Sequence, residues 1–175
     1  GVTLEENCIP GVPFPRYAME IPHTPYYLIA GEAGEVAVYN TALQQIVKRL
    51  ELGATMTPSR GALTNDPDYG QVFLVTSMTS PEVMVIGADP INQPEHAWQL
   101  LRKVSAPTSG SLYVANHAKS EVVVVDSPLS ATQSGSIHLL DKKDLSTKTV
   151  AVDAGLGGTP RGVQPLFHKN GAEVW

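Results

Sequence analysis

Val72-Phe-Leu-Val-Thr-Ser77, followed after a short polar turn by Pro81-Glu-Val-Met-Val-Ile-Gly87, decides how this chain is read. Two short apolar runs, rich in β-branched residues and split by turn-forming residues, read as a pair of strands. The same text stands before it, as Tyr27-Leu-Ile-Ala30 then Gly34-Glu-Val-Ala-Val-Tyr-Asn40. It stands again after it, as Ser111-Leu-Tyr-Val-Ala115 then Gly135-Ser-Ile-His-Leu-Leu-Asp141. A fourth copy opens at Gln164-Pro-Leu-Phe167, turns at Lys169-Asn-Gly171 and reaches Trp175. A repeat of roughly 50 residues falls in the range of propeller blades, which cannot bury both faces alone and stack in a closed ring. The expected fold is therefore all-β, a partial β-propeller of roughly three and a half blades. On this reading the last hairpin lacks its return strand, and Gly1 marks a processed or truncated start. The remaining blades come from the same protein or from companion chains.

Composition agrees with a packed chain: 42% hydrophobic and only 17% charged residues suffice for a real core. The net charge of −5 and scattered Lys and Arg argue against nucleic acid or an anionic membrane as partner. No apolar run approaches the roughly 20 residues of a membrane helix, and no leader pattern is present. Cys8 is the only cysteine, which excludes an internal disulfide and any CxxC metal or c-type haem motif.

Along the chain, Pro10, Pro13, Pro15, Pro22 and Pro25 make residues 1–25 an expected irregular lead-in. Residues 26–175 form the expected propeller domain. Within Ala42–Leu52, Leu43, Ile46, Val47 and Leu50 fit helical spacing, but the blade pattern requires a strand at Gln45–Leu52 and overrides it. The same conflict recurs at His96–Val104, which the repeat assigns mostly to strand. Gly53–Tyr69 and Ser127–Ser134 read as long loops, at the ends of the ring where sites are usually built.

Five histidines are present, and none forms a spaced zinc or catalytic set. His138 lies in an alternating strand and reads as a packing or edge residue. His168 precedes a turn and reads as exposed; His96 beside Trp98 reads as structural. His117 falls directly after a strand, at the start of a loop. Arg60 and Arg161 each stand between a proline and a glycine, in Thr57-Pro-Ser-Arg-Gly61 and Thr159-Pro-Arg-Gly162. An arginine so placed can present its fork to carboxylates, or can simply mark a blade-to-blade turn.

Taken in order, these segments resemble the haem d1-binding propeller of the cytochrome cd1 nitrite reductases and their relatives. Thr57-Pro-Ser-Arg-Gly-Ala62 resembles that family's His-Pro-Gly-Arg-Gly-Ala, and Pro67-Asp-Tyr-Gly-Gln-Val-Phe73 its Pro-x-x-Gly-x-Val-Trp. Ile86-Gly-Ala-Asp-Pro90 with Ala97-Trp98 resembles its Ile-Gly-Thr-Asp-Pro and Ala-Trp. Gly110-Ser-Leu-Tyr-Val-Ala-Asn-His117 resembles its Gly-Ser-Leu-Phe-Ile-Lys-Thr-His. Pro160-Arg-Gly-Val-Gln164 and His168-Lys-Asn-Gly-Ala-Glu-Val-Trp175 resemble its Pro-Arg-Val-Val-Gln and Asn-Lys-Asp-Gly-x-Glu-Val-Trp. The resemblance implies an eight-bladed ring, of which this chain is less than half.

The resemblance also implies a site. In the reductases two histidines stand over haem d1 and protonate nitrite; His117 matches the second, and Thr57 stands where the first would be. Threonine cannot supply the proton that a histidine titrating near neutrality can. Arg60 is implied to steady an anion or a propionate of the macrocycle, with Thr57, Arg161 and Gln164 along the cofactor cavity. The implied cofactor is haem d1, with a haem c carried on a part of the protein outside this chain. The resemblance further implies the periplasm, a homodimer, and a c-type cytochrome or cupredoxin as electron donor. Three functions follow: reduction of nitrite to nitric oxide in denitrification; a paralogue that oxidises or carries dihydro-haem d1 during cofactor maturation; or a non-haem propeller scaffold.

Overall fold

The computed structural model describes residues 9, 11–12, 14–53, 57–152 and 161–175. Twelve strands fold into three four-stranded antiparallel sheets. The first sheet runs β1 (Pro15–Glu20), β2 (Tyr26–Gly31), β3 (Glu35–Asn40) and β4 (Gln45–Glu51). The second runs β5 (Ala62–Asp66), β6 (Gly70–Thr76), β7 (Glu82–Gly87) and β8 (Leu100–Ser105). The third runs β9 (Val114–Ala115), β10 (Val122–Asp126), β11 (Ser136–Asp141) and β12 (Thr147–Ala151). Each sheet is an up-and-down meander in sequence order, so the chain is a partial β-propeller of consecutive blades.

The apolar runs are explained by what covers them. On β6 and β7, Phe73, Val75, Met84 and Ile86 pack toward the first sheet, against Leu28, Val36 and Val38. The alternate residues Val72, Leu74, Val83 and Val85 pack toward the third sheet, against Val123, Val125 and Leu140. Both faces of the central strands are covered, so residues 72–75 and 83–86 are apolar at consecutive positions rather than alternate ones. The fourth strands are edges, and β4 and β12 are mostly exposed. That is why β4 shows no clean alternation. The repeat reading prevails there over the helical spacing, with a bulge opposite Val38 and Tyr39.

Four expectations need correction. Pro15–Glu20, inside the stretch expected to be irregular, is a strand paired with β2. Its proline density is tolerated because Pro15 is the first residue of an edge strand, beside an irregularity in register. Second, Ser111–Ala115 and Gly135–Asp141 do not pair: β11 pairs with β10, and β9 is the first strand of the blade on the other side of β10. Ser127–Ser134 is thus the connection between the two central strands of that blade. Third, the supposed loop Gly53–Tyr69 contains β5; within His96–Val104, by contrast, the expected strand is present from Leu100 onward, most of the segment. Fourth, the last hairpin does return on itself, by an isolated bridge rather than a full strand: Phe167 bridges Val174, and the Leu166 and Trp175 backbones exchange two hydrogen bonds of 2.8 and 2.9 Å. Among the described residues no helix is long and apolar enough to cross a membrane.

Candidate functional site

The second and third sheets meet at their first strands. Arg60, just before β5, forms a parallel bridge with Tyr113, just before β9. The Arg60 amide donates to the Leu112 carbonyl at 3.0 Å, and the Val114 amide donates to the Arg60 carbonyl at 2.8 Å. With its backbone pinned across this seam, Arg60 lays its guanidinium over the Tyr113 ring, 5.0 Å from the centroid. Gly61 follows because nothing larger fits: a Cβ there would lie 2.5 Å from the Phe73 ring and would also run into the Leu74 carbonyl. The Gly61 amide donates to the Tyr17 hydroxyl at 2.7 Å, which ties the first blade to the same point. Burial pushes the Tyr17 phenol well above its ordinary pKa, against the opposing pull of the Gly61 amide and the Arg60 charge, so the hydroxyl accepts this bond as a neutral group.

From this seam opens a cavity of about 330 Å³. Arg60, Tyr113, His117, Leu166 and Phe167 are among the residues that line it. The His117 ring is held from three directions. Its Nδ1 accepts the Lys119 amide at 3.1 Å, which leaves the proton of the neutral ring on Nε2. Its centroid lies 5.9 Å from that of Phe167. The tip of the last hairpin also presses on it: Gly171 has φ of +75°, and a Cβ there would come within 2.5 Å of Nδ1. The His117 carbonyl accepts from Lys142 Nζ at 2.8 Å. Burial lowers the Lys142 pKa, with Glu121 acting in the opposite direction.

Of the five residues expected at the site, the structure brings Arg60 and His117 to one cavity. Thr57 sits before Arg60, but its amide donates to Thr79 Oγ1 at 3.1 Å and its carbonyl accepts the Met78 amide at 2.8 Å; it is not among the residues lining this cavity. Arg161 lines a separate cavity of about 230 Å³ with Ile137 and Trp175, and donates to the Pro128 carbonyl at 3.4 Å. Gln164 is bound through its backbone, its amide donating to Asp126 Oδ2 at 3.1 Å with φ of +50°. Among the described residues no group of three or more His, Cys, Asp or Glu is placed to hold a metal ion.

The other histidines have structural settings. His138 is buried, with Nδ1 3.0 Å from Thr149 Oγ1 and Nε2 3.0 Å from Ser127 Oγ, as a packing residue should be. His96 meets Tyr69 edge-on, and His168 is half-buried against Trp175 rather than exposed. Sequence reasoning missed Tyr113, Tyr17 and Asp126. Tyr113 lies inside the motif that ends at His117, but an aromatic residue in a strand reads as core. Nothing in a terminal aspartate after four valines signals a buried acceptor.

Comparison with known proteins places this geometry in context. The family model described as the Cytochrome D1 heme domain matches residues 11–175. A curated relative, the nitrite reductase of Stutzerimonas stutzeri, is 28% identical over 166 residues, covering 86% of this chain and 30% of that protein. This chain therefore spans under a third of that relative's length. Among solved structures, dihydro-heme d1 dehydrogenase NirN in complex with DHE superposes with a TM-score of 0.73 at 16% identity, over 95% of this chain and 33% of that one. At that identity the superposition speaks for the fold.

Proposed function

Since the chain belongs to the Cytochrome D1 heme domain family, we propose that it supplies part of a haem d1 site, in a periplasmic protein that reduces nitrite to nitric oxide. The observation that carries the proposal is the convergence of Arg60 and His117, far apart in sequence, on one cavity at the seam of two blades. The residues present suit the cofactor. A cation held by backbone pairing and an aromatic face suits a carboxylate-bearing macrocycle, and Leu166, Phe167 and Met19 offer apolar surface. When bound, haem d1 supplies the iron at which nitrite is reduced. This chain's part is to bind and to hold a proton. Arg60 steadies an anionic group without competing backbone motion, since both its amide and its carbonyl are already engaged. His117 offers Nε2–H as donor in a half-buried setting, its orientation fixed by the Lys119 amide. A haem c, a c-type cytochrome or cupredoxin donor, and a homodimer belong to the same reading, outside this chain.

A second reading is favoured by Thr57. With threonine where a second histidine would stand, and its backbone engaged by the turn at Met78 and Thr79, the site keeps one imidazole. Cofactor binding survives such a loss more readily than paired proton delivery, which suits oxidation or carriage of dihydro-haem d1. Pigment extraction from the natively purified protein tests the common part; absence of haem d1 refutes both readings. Nitrite turnover with a reduced donor separates them, for turnover supports reduction and its absence in a pigment-bearing protein supports maturation.

A further inference from the structure

A buried chain of side chains runs behind the Arg60 cavity and ends on an acid. Ser59 Oγ lies 2.5 Å from Thr76 Oγ1, Thr76 Oγ1 donates to Ser111 Oγ at 2.6 Å, and Ser111 Oγ donates to Asp126 Oδ1 at 3.3 Å. All four residues are buried, Asp126 with 0% exposure. Asp126 Oδ1 also accepts the Leu112 and Tyr113 amides, each at 2.8 Å, and Oδ2 accepts the Gln164 amide at 3.1 Å. Its partners are three amides and a hydroxyl rather than a cation. Two of those amides belong to the segment that bridges Arg60 and carries the ring beneath its guanidinium. The third opens the segment that leads to Leu166 and Phe167, which also line the cavity.

We propose that Asp126 is the positioning residue of this site, one carboxylate that sets the Tyr113–Arg60 wall with one oxygen and the Gln164–Phe167 wall with the other. The division of labour follows from valence: a carboxylate only accepts, and here each oxygen faces backbone N–H groups from a different segment. Gln164 holds φ of +50°, an unfavourable conformation for a residue with a side chain, which a fixed acceptor for its amide helps maintain. Burial pushes the Asp126 carboxyl above its ordinary pKa, while its four donors act the other way. The inference rests on the reading that these two walls face haem d1.

The test is Asp126→Asn in the full-length native protein, stripped of pigment and titrated with haem d1. An amide can keep the two bonds to Leu112 and Tyr113 but then presents N–H to N–H at Gln164. Exchange protection of the Gln164 amide therefore falls by on the order of tenfold while that of Tyr113 holds, and haem d1 affinity falls roughly tenfold with a displaced d1 absorption band. If Asp126→Asn fails to fold, hydrogen exchange of the wild-type protein serves: haem d1 uptake should slow the Tyr113 and Gln164 amides together, since both donate to Asp126. A wild-type protein that binds haem d1 beside an Asp126→Asn protein of the same affinity and spectrum overturns the inference and leaves the family reading intact. Should the variant not fold, haem d1 uptake by the wild type that leaves the exchange of the Tyr113 and Gln164 amides unchanged overturns it likewise. A wild-type protein that takes up no haem d1 overturns both.

Discussion

Tyr17→Phe removes one oxygen from the joint between the first two blades and leaves the ring. In the wild type that hydroxyl accepts the Gly61 amide at 2.7 Å, while the ring lies 6.5 Å from that of Phe73. Gly61 is buried, so water does not replace the lost acceptor. An amide left unpaired in such a place costs about 1–3 kcal/mol. For a domain of 150–250 residues each kcal/mol moves Tm by about 2–4 °C, so the variant should melt roughly 2–12 °C lower. The pH dependence supplies a second check. The folded phenol has a raised pKa, so its stabilisation is complete below the ordinary phenol value near 10 and is lost as pH rises through the higher folded value. The gap between wild type and Tyr17→Phe should therefore be flat at neutral pH and narrow in strong alkali. Scanning calorimetry of the two proteins across that range is the assay. A Tm within about 1 °C of wild type at pH 7 would refute the argument that the hydroxyl serves Gly61.

The other predictions concern groups whose settings differ. His138 is buried and its pKa is lowered by burial, so its contribution is present above the ordinary value of about 6.5 and is lost as pH falls through the lower folded value; Tm against pH should lose that acid limb in His138→Gln. Arg102 pairs with Asp66, whose side chain is only 3% exposed, and lies over the Tyr69 ring. Arg102→Met should cost about 3–5 kcal/mol by leaving that carboxylate uncompensated, and Asp66→Asn added to it should restore part of the loss, read by urea denaturation. His117→Ala should retain pigment and lower nitrite turnover by roughly 10²–10⁴ if His117 is the proton donor. His168→Ala, on the far side of the hairpin against Trp175, should turn over at the wild-type rate in the same steady-state assay.

What the sequence revealed, and what it concealed, follows from packing. β6 and β7 were legible because both faces are buried and their centres, residues 72–75 and 83–86, are apolar throughout. β4 was legible only through the repeat, since an exposed edge strand carries little period of its own. β1 was hidden by prolines that an edge strand accepts. The third blade was misread because Ser111–Ala115 resembles a central strand in composition, while the true central strand, Val122–Asp126, lies between it and Gly135. At the site, Arg60 and His117 could be singled out by motif order. Their meeting could not, because it depends on a parallel bridge between two different sheets. Asp126 was invisible for a related reason: its partners are backbone amides, and backbone amides leave no mark in a sequence.

The seam separates residues that hold the walls from residues that face the cavity. Tyr17, Gly61 and Asp126 act through backbone groups or close packing, Tyr17 and Gly61 at the Arg60 wall and Asp126 at both. Arg60 and His117 project into the cavity from those walls, and their side chains can change while the backbone pairing stays. Thr57 lies off the cavity lining, but the same separation of backbone from side chain holds there. Its backbone bonds to Thr79 and Met78 do not depend on which side chain it carries, so a histidine could become a threonine there with little cost to the fold. A propeller built this way can keep its cofactor cradle while its proton chemistry changes. Nitrite turnover, rather than stability or pigment content, is accordingly the property on which the reductase and maturation readings part.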